Sequence, residues 1–87
     1  MIASYDSHSG IVYIQVDERI KIHKTVEFDA QTILELGEDG GLVGIEMIKP
    51  SKAILNRIAK KYQRAELVRG DLDSLRKAVR YLRFIGT

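Results

Sequence analysis

Apolar and polar residues alternate along the first half of the chain, and the rhythm changes at Pro50. Ile20, Ile22, Val26 and Phe28 alternate with Lys21, His23, Thr25 and Glu27, and only Lys24 interrupts the apolar side. A period of two sends successive side chains to opposite faces of a strand. The same reading predicts an extended piece ending at Tyr5 and strands over residues 11–16, 20–28, 32–36 and 42–48. Asp6-Ser7-His8-Ser9-Gly10 and Asp17-Glu18-Arg19 have turn composition between them. Gly37-Glu38-Asp39-Gly40-Gly41 joins the last two strands. Asp39-Gly40 is the strongest hairpin signal, because glycine takes the positive φ that a tight hairpin demands.

After Pro50 the apolar residues Ile54, Leu55, Ile58, Ala59 and Tyr62 recur at the spacing of one helical face. Ser51 is a good N-cap, and Pro50 bars a continued central strand. A helix is expected from about Lys52 to Gln63 or slightly beyond. Residues 64–69 are ambiguous, since Glu66-Leu67-Val68 suits either a continued helix or a short edge strand. Gly70 breaks the pattern, and Asp71 is a plausible cap for a second helix bearing Leu72, Leu75, Ala78, Val79 and Leu82 on one side. Asp71 and Asp73 near its start and Arg80 and Arg83 near its end suit the helix dipole, and Gly86 is placed to stop it. The fold class predicted is α+β: an antiparallel β-meander of about five strands followed by two amphipathic α-helices, at least one packed on the sheet.

Composition narrows the class. With 87 residues, 45% of them apolar and 30% charged, the chain suits one hydrophobic core and a single domain spanning 1–87, with a sheet layer over 1–48 and a helical layer over 49–87. It has no cysteine, which removes disulfides, thiolate nucleophiles and cysteine-based metal centres. No apolar stretch approaches the roughly 20 residues that span a bilayer, and residues 1–6 lack a basic segment followed by an apolar run. A soluble, cytoplasmic protein with no membrane association is the expectation.

The formal charge of +2 hides a division. Residues 1–48 carry 3 basic and 9 acidic side chains, net −6, and residues 49–87 carry 11 basic and 3 acidic ones, net +8. Either the two layers attract each other or a basic surface is kept for a partner.

The order of Tyr5-Asp6, Ile11-Val12-Tyr13-Ile14, Glu38-Asp39-Gly40 and Gly44-Ile45-Glu46, with Ser51 close behind, resembles family 2283 of the domains of unknown function, a group of small prokaryotic proteins. The resemblance covers about residues 3–60. The chain departs from the family pattern in having Gly10-Ile11 before the second strand, in Lys49-Pro50 before Ser51, and in the segment after Gly70. The resemblance implies a compact β-sheet module with no established activity, and transfers no catalytic residues. Some members are suspected partners in toxin-antitoxin-like gene pairs, which implies a protein-binding or antitoxin-like DNA-binding role.

Candidate chemistry is sparse. His8 falls in a turn and His23 on the polar side of a strand, and with Asp6, Glu35 or Glu46 either suits a small acid-base or metal site. Their spacing matches no metal-binding signature, so solvated histidines are the plainer reading, and no metal or cofactor is implied. Glu38-Asp39-Gly40-Gly41 has too few alternating oxygens for calcium and no following GK[ST] for nucleotide phosphates, which leaves a hairpin turn. If Val43, Ile45 and Met47 face the helices, Leu42, Gly44, Glu46 and Ile48 share the other face, and Ile11, Tyr13, Gln15, Ile33 and Glu35 suit the same side by alternation. That face is half apolar and needs a cover, either the second helix or a second copy, so a homodimer is expected. Glu46 is then a paired interface carboxylate, with Tyr13 or a lysine, and only secondarily a catalytic acid. Gly44 is expected to permit close approach of backbone or ring.

The strongest functional candidates are two cationic stripes at helical spacing. Arg57, Lys60, Lys61 and Arg64 form one, and Arg76, Lys77, Arg80 and Arg83 the other. They suit an acidic protein partner, or nucleic acid with Tyr62, Tyr81 or Phe84 stacking on bases. Plain solvation, or pairing with the acidic sheet, is the alternative. A non-enzymatic binding or regulatory module is the favoured function, and an enzyme using Glu46, His23 or Tyr13 is the least favoured.

Overall fold

The computed structural model describes residues 2–69, apart from Ser7 and Pro50. The second helix expected between Asp71 and Gly86, with Arg76, Lys77, Arg80 and Arg83, lies outside the described residues. Within them the chain is α+β: a five-stranded antiparallel meander sheet, then a helix and a short helical turn. The strands are β1 (Ile2–Tyr5), β2 (Val12–Gln15), β3 (Lys24–Asp29), β4 (Thr32–Leu36) and β5 (Leu42–Met47), and the helices are α1 (Lys52–Lys61) and α2 (Glu66–Arg69).

In space the strands run β1-β2-β5-β4-β3. Hairpin β1-β2 and the run β3-β4-β5 are each made of chain neighbours, and β2 joins β5 to unite them. The link from β2 to β3 therefore crosses the end of the sheet. Its start is held where the amides of Val16 and Asp17 both donate to the Val43 carbonyl, at 2.7 and 3.2 Å, and its end where His23 N–H donates to the Leu36 carbonyl at 2.8 Å.

That crossing corrects the third strand. Pairing begins at Lys24 rather than Ile20, and Ile20 and Ile22 are 37% and 44% exposed. Their alternation reflects a strap whose Ile20 methyl lies so close to Gly37 that a Cβ there would stand 2.8 Å from it. Only Val26 and Phe28 of the expected apolar row pack against the core.

The core lies between one sheet face and the helices. Ile14, Leu34, Ile45 and Met47 meet Leu55 and Ile58 of α1 and Leu67 of α2, all essentially inaccessible to water. A register shift between Glu35 and Leu36 sets Leu36 opposite Leu42 and Glu35 opposite Gly44. Two residues of β5 thereby answer one step of β4, the signature of a bulge. Leu42 turns into the core as a result, although simple alternation assigns it to the other face.

α1 starts where the Ser51 hydroxyl accepts the Ile54 amide at 3.3 Å. It ends at Lys61 rather than residue 63. Gln63 adopts φ 56°, its amide donates to Lys60 at 3.4 Å, and the Arg64 amide reaches back to the Ala59 carbonyl at 2.8 Å. This is a Schellman closure with glutamine in the left-handed position that glycine usually takes. The ambiguous segment after it is helical over Glu66–Arg69, because Leu67 is drawn fully into the core.

Candidate functional site

The described residues present two chemically opposed surfaces. On the outer side of α1, Arg57, Lys60 and Lys61 are exposed one helical turn apart, opposite the buried Leu55 and Ile58. Arg64, the fourth member of the predicted stripe, is half-buried, and its Nη1 lies 3.4 Å from Glu66 Oε1. Beneath the stripe lies Phe28 of β3. The Arg57 guanidinium carbon is 5.0 Å from the ring centre, and the Lys61 ammonium is 5.9 Å from that ring and 5.9 Å from the Tyr62 ring. Such cation–π contacts at an exposed site contribute about 0.5–1 kcal/mol each and hold the cations together over an apolar platform.

The opposite sheet face is acidic. Register sets Tyr13 across from Glu46, Glu46 from Ile33, Glu35 from Gly44 and from Thr25, and Glu27 from Ile33. Directly paired residues share a face, so Tyr13, Gln15, Ile33, Glu27, Glu35 and Glu46 lie together. Among the described residues both helices pack on the other side, which leaves this face without a covering element.

At its centre the Tyr13 hydroxyl donates to Glu35 Oε1 at 2.5 Å. The bond passes from β2 to β4 over the intervening β5, and Gly44 makes the passage. A Cβ there would overlap the Glu35 carboxylate and stand 2.6 Å from the Tyr13 oxygen. Close approach of backbone or ring is the expectation for Gly44, and the groups that approach are the Tyr13 ring with its hydroxyl and the Glu35 carboxylate. The Tyr13 phenol is pushed up to about 12, first by burial, then by its bond to Glu35 and the negative charges of Glu35 and Glu46. It stays protonated near neutrality and acts as a donor.

Tyr13 and Glu46 are thus brought together, but the hydroxyl bonds Glu35. His23 stands apart and exposed just before β3, its amide engaged with β4. His8 is exposed in the β1-β2 turn. Among the described residues, no group of three or more histidine, aspartate or glutamate side chains is arranged to hold a metal. No helix among them is long and apolar enough to cross a membrane.

Four further acids have a shared local role. Asp6, Asp17, Asp29 and Asp39 each accept the amide two residues ahead, from His8, Arg19, Gln31 and Gly41 at 2.8–3.1 Å. Every connection between successive strands holds such an Asx turn. Hydrogen bonding from the His8 amide and the Ser9 hydroxyl holds the Asp6 carboxyl below its ordinary range, and the Arg19 side chain and amide do the same for Asp17. Nearly half of the acidic charge of residues 1–48 is therefore committed to turns, and Glu27, Glu35 and Glu46 carry the acidity of the open face. The sequence signal is an aspartate at or within each connection: Asp6, Asp17, Asp29 and Asp39. Phe28 under the cationic stripe had no such signal, because the contact joins β3 to a helix more than twenty residues later.

No family model matches the chain, and no curated protein and no solved structure matches it.

Proposed function

We propose that this protein is a small non-enzymatic binding module, homodimeric and regulatory in kind, which takes an acidic protein segment on the cationic face of α1. The observation that carries this reading is the grouping of Arg57 and Lys61 over the Phe28 ring, with Lys60 exposed beside them. Cations fixed over an aromatic ring lose less freedom on binding than free side chains, and the apolar ground beneath them suits a peptide that carries both carboxylates and hydrophobic groups. The same contacts occupy Phe28 with protein cations, which favours an acidic peptide over base stacking. The dimeric part of the reading rests on the half-apolar open face.

Titration of the full chain with polyglutamate and, separately, with duplex DNA tests the reading. Polyglutamate is expected to bind, and Arg57→Glu with Lys61→Glu to weaken it at least about tenfold. Unchanged affinity in that variant would remove the cationic face from the function. Tighter binding of duplex DNA, with log affinity falling by about 0.9 per neutralised phosphate against log salt, would assign the face to nucleic acid instead.

A further inference from the structure

Two faces of the described residues complement each other, and they lie on opposite sides of one sheet. Register gathers Ile2, the Tyr13 ring and Ile33 on the open face as apolar ground, with Glu27, Glu35 and Glu46 among them. Ile2 is 47% exposed there. No lysine or arginine of the five strands shares that face, since Lys24 alternates to the other side from Thr25. Two such faces stacked on each other would bring six carboxylates together without a cation, so sheet-on-sheet pairing is disfavoured. The cover that suits this face is cationic and can lie along apolar groups.

The outer side of α1 has both properties. Arg57, Lys60 and Lys61 are exposed on it, and Ala53 stands one turn before Arg57. Stems of arginine and lysine cover apolar ground while their charged ends reach sideways to carboxylates. Glu27 and Glu46 flank Ile33 in one row, about 10 Å apart across β4. Arg57 and Lys61 stand about 6 Å apart along the helix axis, and their long side chains span the difference.

Within one chain these groups cannot meet. Leu55 and Ile58 fix α1 to the core side of the sheet, so its cations point away from the open face. We propose that the cationic face of α1 docks on the acidic open face of a second copy, so that copies join head to tail. This rests on the reading of α1 as an acid-binding surface and names the acidic surface it takes. Because the two faces point in opposite directions, the contact is heterologous, and a pair leaves one α1 and one open face unoccupied. An external acidic protein then competes with the next copy for the free α1, which lets that protein limit the assembly.

Sedimentation of the full-length protein over a concentration series reads the contact. The wild type is expected to form pairs and longer assemblies as concentration rises, and to dissociate with added salt. Arg57→Glu with Lys61→Glu and, separately, Glu27→Gln with Glu46→Gln are each expected to weaken self-association at least about tenfold. An equimolar mixture of the two double variants is expected to form a one-to-one pair that grows no further, since one intact α1 meets one intact open face. Glu35 is kept because it accepts the Tyr13 hydroxyl, and a wild-type urea midpoint shows each variant folded. Glu27→Gln alone, at an exposed position, replaces the second variant if that one unfolds. A dimer that survives the α1 variant and tightens when Glu27 and Glu46 are neutralised would set open face against open face, overturning the head-to-tail contact and leaving the homodimer standing. A wild type that stays monomeric yet binds polyglutamate would overturn the contact and the dimer and leave α1 as an acid-binding surface. A monomer that binds no polyglutamate would overturn that reading as well.

Discussion

At position 44 the missing side chain is the functional part. The Tyr13 hydroxyl crosses β5 to Glu35 only because glycine leaves the space open. A phenol raised from 10.0 to about 12 in the folded state contributes stability that is complete below its ordinary value and is lost as pH climbs from about 10 to about 12. Gly44→Ala is expected to push the pair apart, return the Tyr13 phenolate step towards its ordinary value in an absorbance titration, and cost about 1 kcal/mol in neutral urea unfolding. Tyr13→Phe should abolish the late step. An unchanged late step in Tyr13→Phe would assign it to another tyrosine. The chance to bridge two strands was legible in part, since alternation puts Tyr13, Glu35, Gly44 and Glu46 on one face. Which carboxylate receives the hydroxyl depends on register, which alternation alone does not fix.

Elements end here on specific residues, and the ends are where small changes act. Gln63 holds a left-handed conformation at φ 56° to close α1, a position where a side chain costs about 1 kcal/mol or more. Gln63→Gly should therefore raise the urea midpoint, by about 0.5–1 kcal/mol in stability after glycine's larger unfolded-state entropy is subtracted. The turns respond to acid instead. Asp6 and Asp17 have lowered folded values, so what they contribute is present above the ordinary carboxylate value of 3.8 and fades as pH falls through the folded one. Asp6→Asn with Asp17→Asn keeps an oxygen acceptor in both turns and should flatten the acid limb of a stability-versus-pH curve, with little change at neutral pH. Local signals made much of this level readable: Ser51 as cap, Asp39-Gly40 with Gly40 at φ 83° as hairpin, and the 3.6-residue rhythm of α1. Ile20 and Ile22 misled because a strap packed across a sheet end repeats the pattern of a strand. The bulge that turns Leu42 inward has no local mark, since it arises from pairing with β4.

At the scale of the whole molecule, the charge division of the sequence becomes, among the described residues, a division between surfaces. The cationic stripe of α1 lies on one side of the sheet and Glu27, Glu35 and Glu46 on the other, while four aspartates are spent on turns. Binding at the α1 face should weaken steadily with added salt as the Debye length shrinks from about 10 Å at 0.1 M. Strand order was not legible, because β2 and β5 are brought together across all of residues 16–41 rather than by any turn. That order has a mechanical outcome. The phenol-carboxylate clasp ties β2 to β4 and pins β5 between them, whereas β1 and β3 are each held along one side only within the sheet. Fraying therefore begins at the two margins, and the middle three strands let go together or not at all.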